Sequence, residues 1–218
     1  MNNNQMEKLQ SPRHWLAIAP FWVALLLATF MLDAPVATWV HNNGIDTALK
    51  DNHLTFFWKF PGTFGFTILV VIIAMAIGKI DLRDGGFVIL CGLFAVADIF
   101  TKWIIGRTRP FKLDPTDTAL PFALHPFRNG IVGFFHQDNL SFPSGHEWSA
   151  FALAMGIALI RPKWAWAFFL IALAVGAERV LENAHFISDV FVAMPAAAIG
   201  CIIAYQIVRP NDFPARPT

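Results

Sequence analysis

Six long apolar runs punctuate this chain, and a sequence with six of them has few ways to fold outside a lipid bilayer. The runs cover Trp15–Leu32, Phe64–Ile80, Gly86–Ile105, Ser144–Ile160, Trp164–Val180 and Ile187–Val208. At a rise of about 1.5 Å per residue, stretches of about 17–22 residues match a hydrocarbon core about 30 Å thick. Composition agrees. The 218 residues are 56% hydrophobic and 14% charged, where soluble domains carry about 25% charged residues. The formal net charge of +1 argues against a nucleic-acid partner.

The expected fold is therefore all-α, a polytopic membrane protein with six transmembrane helices. It divides into a polar N-terminal tail (1–14), a single six-helix membrane domain (15–208) and a polar C-terminal tail (209–218). Lys8 and Arg13 precede the first run, as in a signal peptide. The run is long for a cleavable segment, however, and no small-x-small site follows it, so it is read as a retained helix. Cys91 and Cys201 fall inside runs, and no disulfide is expected.

Two connections carry unusual composition. Between Leu32 and Thr63 lies HLTFFWKFPG, whose Phe56, Phe57, Trp58 and Phe60 suit an aromatic anchor at headgroup depth, or a guide for lipid. The connection from about Gly106 to Pro143 is long and rich in Pro, Phe, Asp and His, and loops of that length are usually functional. His125, His136 and Asp138 within it fit no trusted metal-ligand spacing. An even number of spans puts both termini on one side. Lys and Arg then divide eight against eight between the two sides, so the positive-inside rule favours cytoplasmic termini only if some outer cations serve chemistry.

Polar residues cluster at three span ends. Lys102, Arg109 and Pro110 leave the third span, Pro143-Ser144-Gly145-His146 enters the fourth, and Arg179, His185 and Asp189 bridge the fifth and sixth. By parity, all three ends face one aqueous compartment. Three cations converging at a membrane surface call for a multiply charged anion, and two arginines favour phosphate. Asp189 follows His185 by four residues and shares its helical face. It can hold one ring nitrogen and leave the other as a nucleophile. His146 is then the natural general acid.

The ordered set K-x6-R-P, P-S-G-H and R-x5-H-x3-D, from Lys102 to Asp189, resembles the three-part signature of the type 2 phosphatidic acid phosphatase superfamily. This superfamily joins integral-membrane lipid phosphatases, soluble acid phosphatases and vanadium haloperoxidases; six spans point to the membrane branch. The resemblance implies that His185 attacks phosphorus and becomes a transient phosphohistidine, oriented by Asp189. Lys102, Arg109 and Arg179 hold the phosphoryl oxygens, assisted by Ser144 and the Gly145 N–H. His146 protonates the departing lipid oxygen, and water releases phosphate. Such chemistry is mostly positioning and charge neutralisation, so no metal and no other cofactor is expected.

The sequence departs from that pattern at two acids. Glu178 precedes Arg179 where the family often has Ser, and Glu147 follows His146 where a small or hydroxyl residue is usual. Glu147 fits a capping box with Ser144; alternatively its charge keeps His146 protonated. Glu178 is expected to pair with a neighbouring cation or to affect substrate choice. Asp98, four residues before Lys102, is read as the partner that steadies it, since charges in membrane helices are rarely unpaired.

The functional expectation is a metal-independent lipid phosphatase in a bacterial inner membrane, with both termini cytoplasmic and the site periplasmic. Its partners are membrane lipids and a phosphorylated lipid, with no obligate protein partner. Undecaprenyl pyrophosphate, phosphatidylglycerol phosphate, phosphatidic acid and a lipid A phosphate are all compatible substrates. Discrimination is expected in the Lys112–Leu140 loop and the segment around Trp58. The alternatives are a phosphotransferase that passes the phosphoryl group to another lipid, and a non-enzymatic anion transporter.

Overall fold

The computed structural model describes residues 12–51, 55–113, 123–127 and 130–209. Most of both polar tails, and residues 114–122 and 128–129 of the long loop, lie outside the described residues.

The first helix, α1, runs from Pro12 to Asn42, through both Pro20 and Pro35. The apolar run ends at Leu32, but the helix does not. Asp33 stays inside the bundle, only 1% exposed, because it has an arginine partner described below. A proline removes one backbone donor, a loss that a membrane helix packed against neighbours tolerates. The expected Leu32–Thr63 connection is thus shorter, and begins with a ten-residue extension of α1 beyond Leu32.

Two short helices follow, α2 (Ile45–Asp51) and α3 (Thr55–Lys59), then a 3-10 turn at Phe60–Gly62. Helix α4 (Phe64–Ala76) opens on a true side-chain cap, the Thr63 hydroxyl accepting from the Phe66 N–H at 3.2 Å. Helix α5 (Leu82–Phe94) opens similarly on Asp81, which accepts from the Asp84 N–H at 2.7 Å. A 3-10 turn at Ala95–Ala97 joins α5 to α6 (Asp98–Ile105) in one apolar stretch. Helices α7 (Gly130–Phe135), α8 (Gly145–Ile160), α9 (Pro162–Leu181) and α10 (Ile187–Val208) complete the described elements.

Among the described residues, four helical stretches are long and apolar enough to cross a membrane: Ala19–Asn42, Leu82–Ile105, Pro162–Leu181 and Ile187–Val208. The other two apolar runs form α4 and α8, of 13 and 16 residues, short of the roughly 20 that a span needs.

Helix α8 is the axis of the bundle, packed by α5, α9 and α10. Its Ala150, Ala152 and Ala154 and the Ala193, Ala197 and Ala204 of α10 are all buried. Small residues let helix backbones approach, which drives association where lipid offers no hydrophobic contrast. Gly200 shows how close: a Cβ there would lie 2.9 Å from the Phe94 Cβ.

At one end of the bundle, Asp84 pairs with Arg161 at 3.1 Å and with Arg209, while Arg83 donates to the Val208 carbonyl. The α4–α5 turn, the α8–α9 turn and the end of α10 therefore meet there. The three polar motifs occupy the other end.

Candidate active site

Each motif residue is placed by a recognisable local device. Lys102 sits one turn after Asp98 on α6, with Nζ 2.6 Å from Asp98 Oδ2. Gly106 ends α6 in the left-handed region at φ 65°, where a Cβ would strike the His125 carbonyl. The chain then turns through Arg107 and Thr108, which form isolated antiparallel bridges with Leu124 and Leu140. Arg109 is fixed by its backbone N–H to Asn139 at 3.0 Å and by its Nε to the Leu140 carbonyl at 3.1 Å.

The Pro143-Ser144-Gly145-His146 turn begins α8 and is tied to α10 by the Ser144 N–H, which donates to the Asp189 carbonyl at 3.1 Å. Gly145 leaves room for the ion pair of α6; a Cβ there would strike the Asp98 carboxylate and come 3.3 Å from Lys102 Nζ. The Ser144 hydroxyl is fully buried and makes no hydrogen bond among the described residues. The expected capping box is absent. Ser144 supplies no side-chain cap, and Glu147 is turned away, fully buried with neither oxygen hydrogen-bonded. Its carboxyl fills a slot against Gly176 of α9, where a Cβ would lie 2.8 Å from both oxygens. Packing between α8 and α9 has overridden the local cap.

Arg179 is the most encumbered cation. Glu178 Oε2 and Oε1 accept from its Nε and Nη2 at 2.6 and 2.8 Å, and Glu182 also accepts from Nη2. Glu182 in turn receives Lys59 of α3. Two carboxylates therefore occupy one edge of the guanidinium, and among the described residues Nη1 has no hydrogen-bond partner.

His185 is 2% exposed. Its Nδ1 lies 2.7 Å from the Ser141 carbonyl, which can only accept, and 3.8 Å from Asp189 Oδ2. The hydrogen bond that sets the tautomer thus goes to Ser141 rather than to Asp189. With Nδ1 protonated, Nε2 carries the lone pair. Burial pushes the imidazole down to about 4, with Arg109 and Lys102 adding to the effect and Asp189 opposing it. At neutral pH the ring is uncharged, with the Nε2 lone pair free to react.

Electrostatics shows how tightly the groups converge. Arg109 is lowered from its ordinary value by burial first and then by the charge of Arg179, while Glu182, Asp189 and Asp138 oppose the shift. His146 lies within electrostatic range of Arg179, His185, Lys102 and Arg109. Three cations crowded around two imidazoles are arranged for an anion with several oxygens. A cleft of about 280 Å³ reaches this group at Lys102 and His146. Asp98, Lys102 and His146 line it together with Val96 and Ile99, so charged and apolar walls share one cavity.

Several residues that build the site are not specified by any motif. Arg107, 1% exposed, donates to Asp33 Oδ2 at 2.7 Å and to Asp189 Oδ1 at 2.5 Å. Ser188, Ser141, Glu182 and Lys59 also escape a reading by spacing. A hint existed in Asp33, a charge at the edge of an apolar run, since such charges are rarely unpaired.

Apolar helices long enough to span a membrane, with histidines and cations gathered at one end, have the make-up of a membrane protein that handles a multiply charged anion. The PAP2 superfamily model matches residues 85–213, more than half of the chain, and the chain belongs to that superfamily. It is similar to a lipid A 1-phosphatase of Rhizobium johnstonii, at 27% identity over 187 residues, covering 80% of this chain and 72% of that protein. A lipid A 1-phosphatase of Rhizobium etli is 34% identical over 93 residues, covering 43% of this chain and 36% of that protein. The bacitracin transport permease protein BcrC of Bacillus licheniformis is 34% identical over 97 residues, covering 44% of this chain and 43% of that protein. No solved structure matches the chain.

Proposed function

We propose that this protein removes a phosphate from a lipid through a phosphohistidine formed on Nε2 of His185, without a metal. The observation that carries the reading is the His185 ring itself. Its Nδ1 is committed to the Ser141 carbonyl at 2.7 Å, and the ring stands within reach of the charges of Lys102 and Arg109. Nε2 attacks phosphorus while Lys102, Arg109 and Arg179 neutralise the equatorial oxygens. The buried, unpartnered Ser144 hydroxyl and the N–H groups opening α8 add neutral donors. His146 gives its proton to the departing lipid oxygen, then takes one from the water that cleaves the phosphohistidine. Asp189 supports His185 by its charge, Asp98 by its pairing steadies Lys102, and Glu147 acts on the same turn through packing.

The domain is residues 15–208, with the two shorter helices completing six spans, α8 at the axis of the bundle and α4 at its surface, where Ile72 and Ile73 are exposed. The termini and the basic end around Asp84 face the cytoplasm of a bacterial cell, and the site faces the periplasm across the inner membrane. A lipid A type phosphate is the favoured substrate, supported by the similarity to a lipid A 1-phosphatase over four-fifths of the chain. The test is phosphate release by purified protein from lipid A 1-phosphate, phosphatidic acid, phosphatidylglycerol phosphate and undecaprenyl pyrophosphate. His185→Ala should abolish release, a chelator should leave it intact, and vanadate should inhibit. A labelled lipid product in place of free phosphate would identify a phosphotransferase instead.

A further inference from the structure

Behind Asp189 lies a second layer that the motifs do not specify: Arg107 and Ser188 fall at their unassigned positions, and Asp33 lies outside them. Arg107 bridges two acids, with Nη2 2.7 Å from Asp33 Oδ2 and Nη1 2.5 Å from Asp189 Oδ1. Ser188 closes the ring, accepting from Arg107 Nη1 at 2.7 Å and donating its hydroxyl to Asp33 Oδ2 at 2.5 Å. The Ser188 N–H also donates to Asp33 Oδ1 at 2.9 Å. That N–H is one of the unpaired donors at the start of α10. Asp33, on α1, therefore caps the helix that carries Asp189.

The layer is dry and closely packed. All three charged side chains are 1% exposed or less, and the guanidinium lies 4.0 Å from the centre of the Phe186 ring. Asp189 spends both oxygens on fixed donors, Oδ1 on Arg107 and Oδ2 on the Phe186 N–H at 2.8 Å. Its distance from His185 is thus set by Arg107 and by the backbone, not by the histidine. A planar fork presents separate nitrogens to the two carboxylates in a fixed geometry, which the single ammonium of a lysine cannot reproduce.

We propose that Asp33 and Arg107 are positioning residues of the catalytic centre, holding the Asp189 carboxylate at a fixed distance from the nucleophilic histidine. Asp33 does so from α1, which lies before the stretch matched by the family model at residues 85–213. This rests on the phosphohistidine reading above.

The groups facing His185 are Asp189 on α10, Lys102 and Arg109 at the end of the third apolar stretch, and His146 on α8. Arg107 and Asp33 stand behind Asp189. Removing the negative charge of Asp33 leaves Arg107 less compensated, which disfavours an imidazolium at His185. In full-length protein, on whichever of lipid A 1-phosphate and phosphatidic acid the wild type turns over faster, Asp33→Asn should lower kcat about tenfold. KM should stay within about twofold, and the acid limb of kcat/KM should move to lower pH by about half a unit or more. Ser188→Ala, which removes no charge, should lower kcat about threefold with the limb in place. It decides the matter alone if Asp33→Asn does not fold, as judged by size-exclusion and melting temperature.

Merely structural loosening would lower the melting temperature and raise KM without moving the limb, and that result overturns the proposal. So does an unchanged kcat in the folded variants. His185→Ala separates the two levels. If it stays active, or the wild type releases no phosphate, the phosphohistidine reading fails and this proposal with it. If it is inactive while the folded variant matches wild type, this proposal alone fails.

Discussion

The Nδ1–H of His185 donates to the backbone carbonyl of Ser141 at 2.7 Å, across 44 residues of sequence. A carbonyl cannot ionise or turn away as a carboxylate can, so the tautomer of the ring is set by the backbone of the turn that also leads into Ser144. The loop leading into Ser144 and the His185 ring are thereby one mechanical unit.

That geometry predicts the chemical identity of the intermediate. Protein mixed with lipid substrate and quenched in alkali should yield phosphohistidine at position 185, with phosphorus on Nε2. Mass spectrometry with isomer standards checks this. Phosphorus on Nδ1 would require the Ser141 bond to break and would contradict the arrangement.

Glu147 and Gly176 make the second prediction. The carboxyl fills its slot without a hydrogen-bond partner, and an unpartnered buried polar group is costly. Glu147→Met, similar in volume and apolar, should raise the melting temperature in detergent. Gly176→Ala should lower stability by about 1–3 kcal/mol through overpacking. A capping role for Glu147 would give the opposite sign for the first variant.

Glu182 sits between Arg179 and Lys59. Its charge opposes an incoming anion while its bond holds the guanidinium still. Glu182→Gln should therefore bind inorganic phosphate more tightly, by about fivefold, or roughly 1 kcal/mol for one partly screened charge. Turnover should nonetheless fall, because Arg179 loses a fixed partner. Product-inhibition and kcat measurements on the same variant separate the two effects.

The fourth prediction concerns pH and stability. His185 is held at about 4 in the folded protein, against an ordinary value near 6.5. The unfolded chain binds this proton first, so the contribution to stability is complete above about pH 6.5. It is lost progressively as pH falls towards 4. His185→Gln should show a shallower fall in melting temperature across that window than the wild type. The difference should approach at most about 1.4 kcal/mol per pH unit, the limit for one proton.

The site was legible where chemistry demands particular residue types at fixed spacing. Lys102, Arg109, Ser144, His146, Arg179, His185 and Asp189 are of this kind, since the proposed chemistry requires their side chains and their spacing is readable along the chain. Asp33 and Arg107 are not, since a pair 74 residues apart leaves no local pattern. An acid at the edge of an apolar run reads as the end of a helix. Ser141 contributes a carbonyl, which any residue could. Glu147 had a legible spacing with Ser144, but spacing permits a cap without requiring one, and tertiary packing found another place for the carboxyl. The two short apolar helices fell to the same limit. Run length counted residues that the structure spends on turns, as at Ile77–Ile80 after α4.

Helix α8 has no exposed residue along its 16 positions. A helix that touches lipid must tilt, stretch its anchors or deform the bilayer when membrane thickness changes. One enclosed by other helices does not face that demand. The turn bearing Ser144 and His146 is thereby insulated from the thickness and composition of the surrounding membrane, and the outer helices absorb the mismatch.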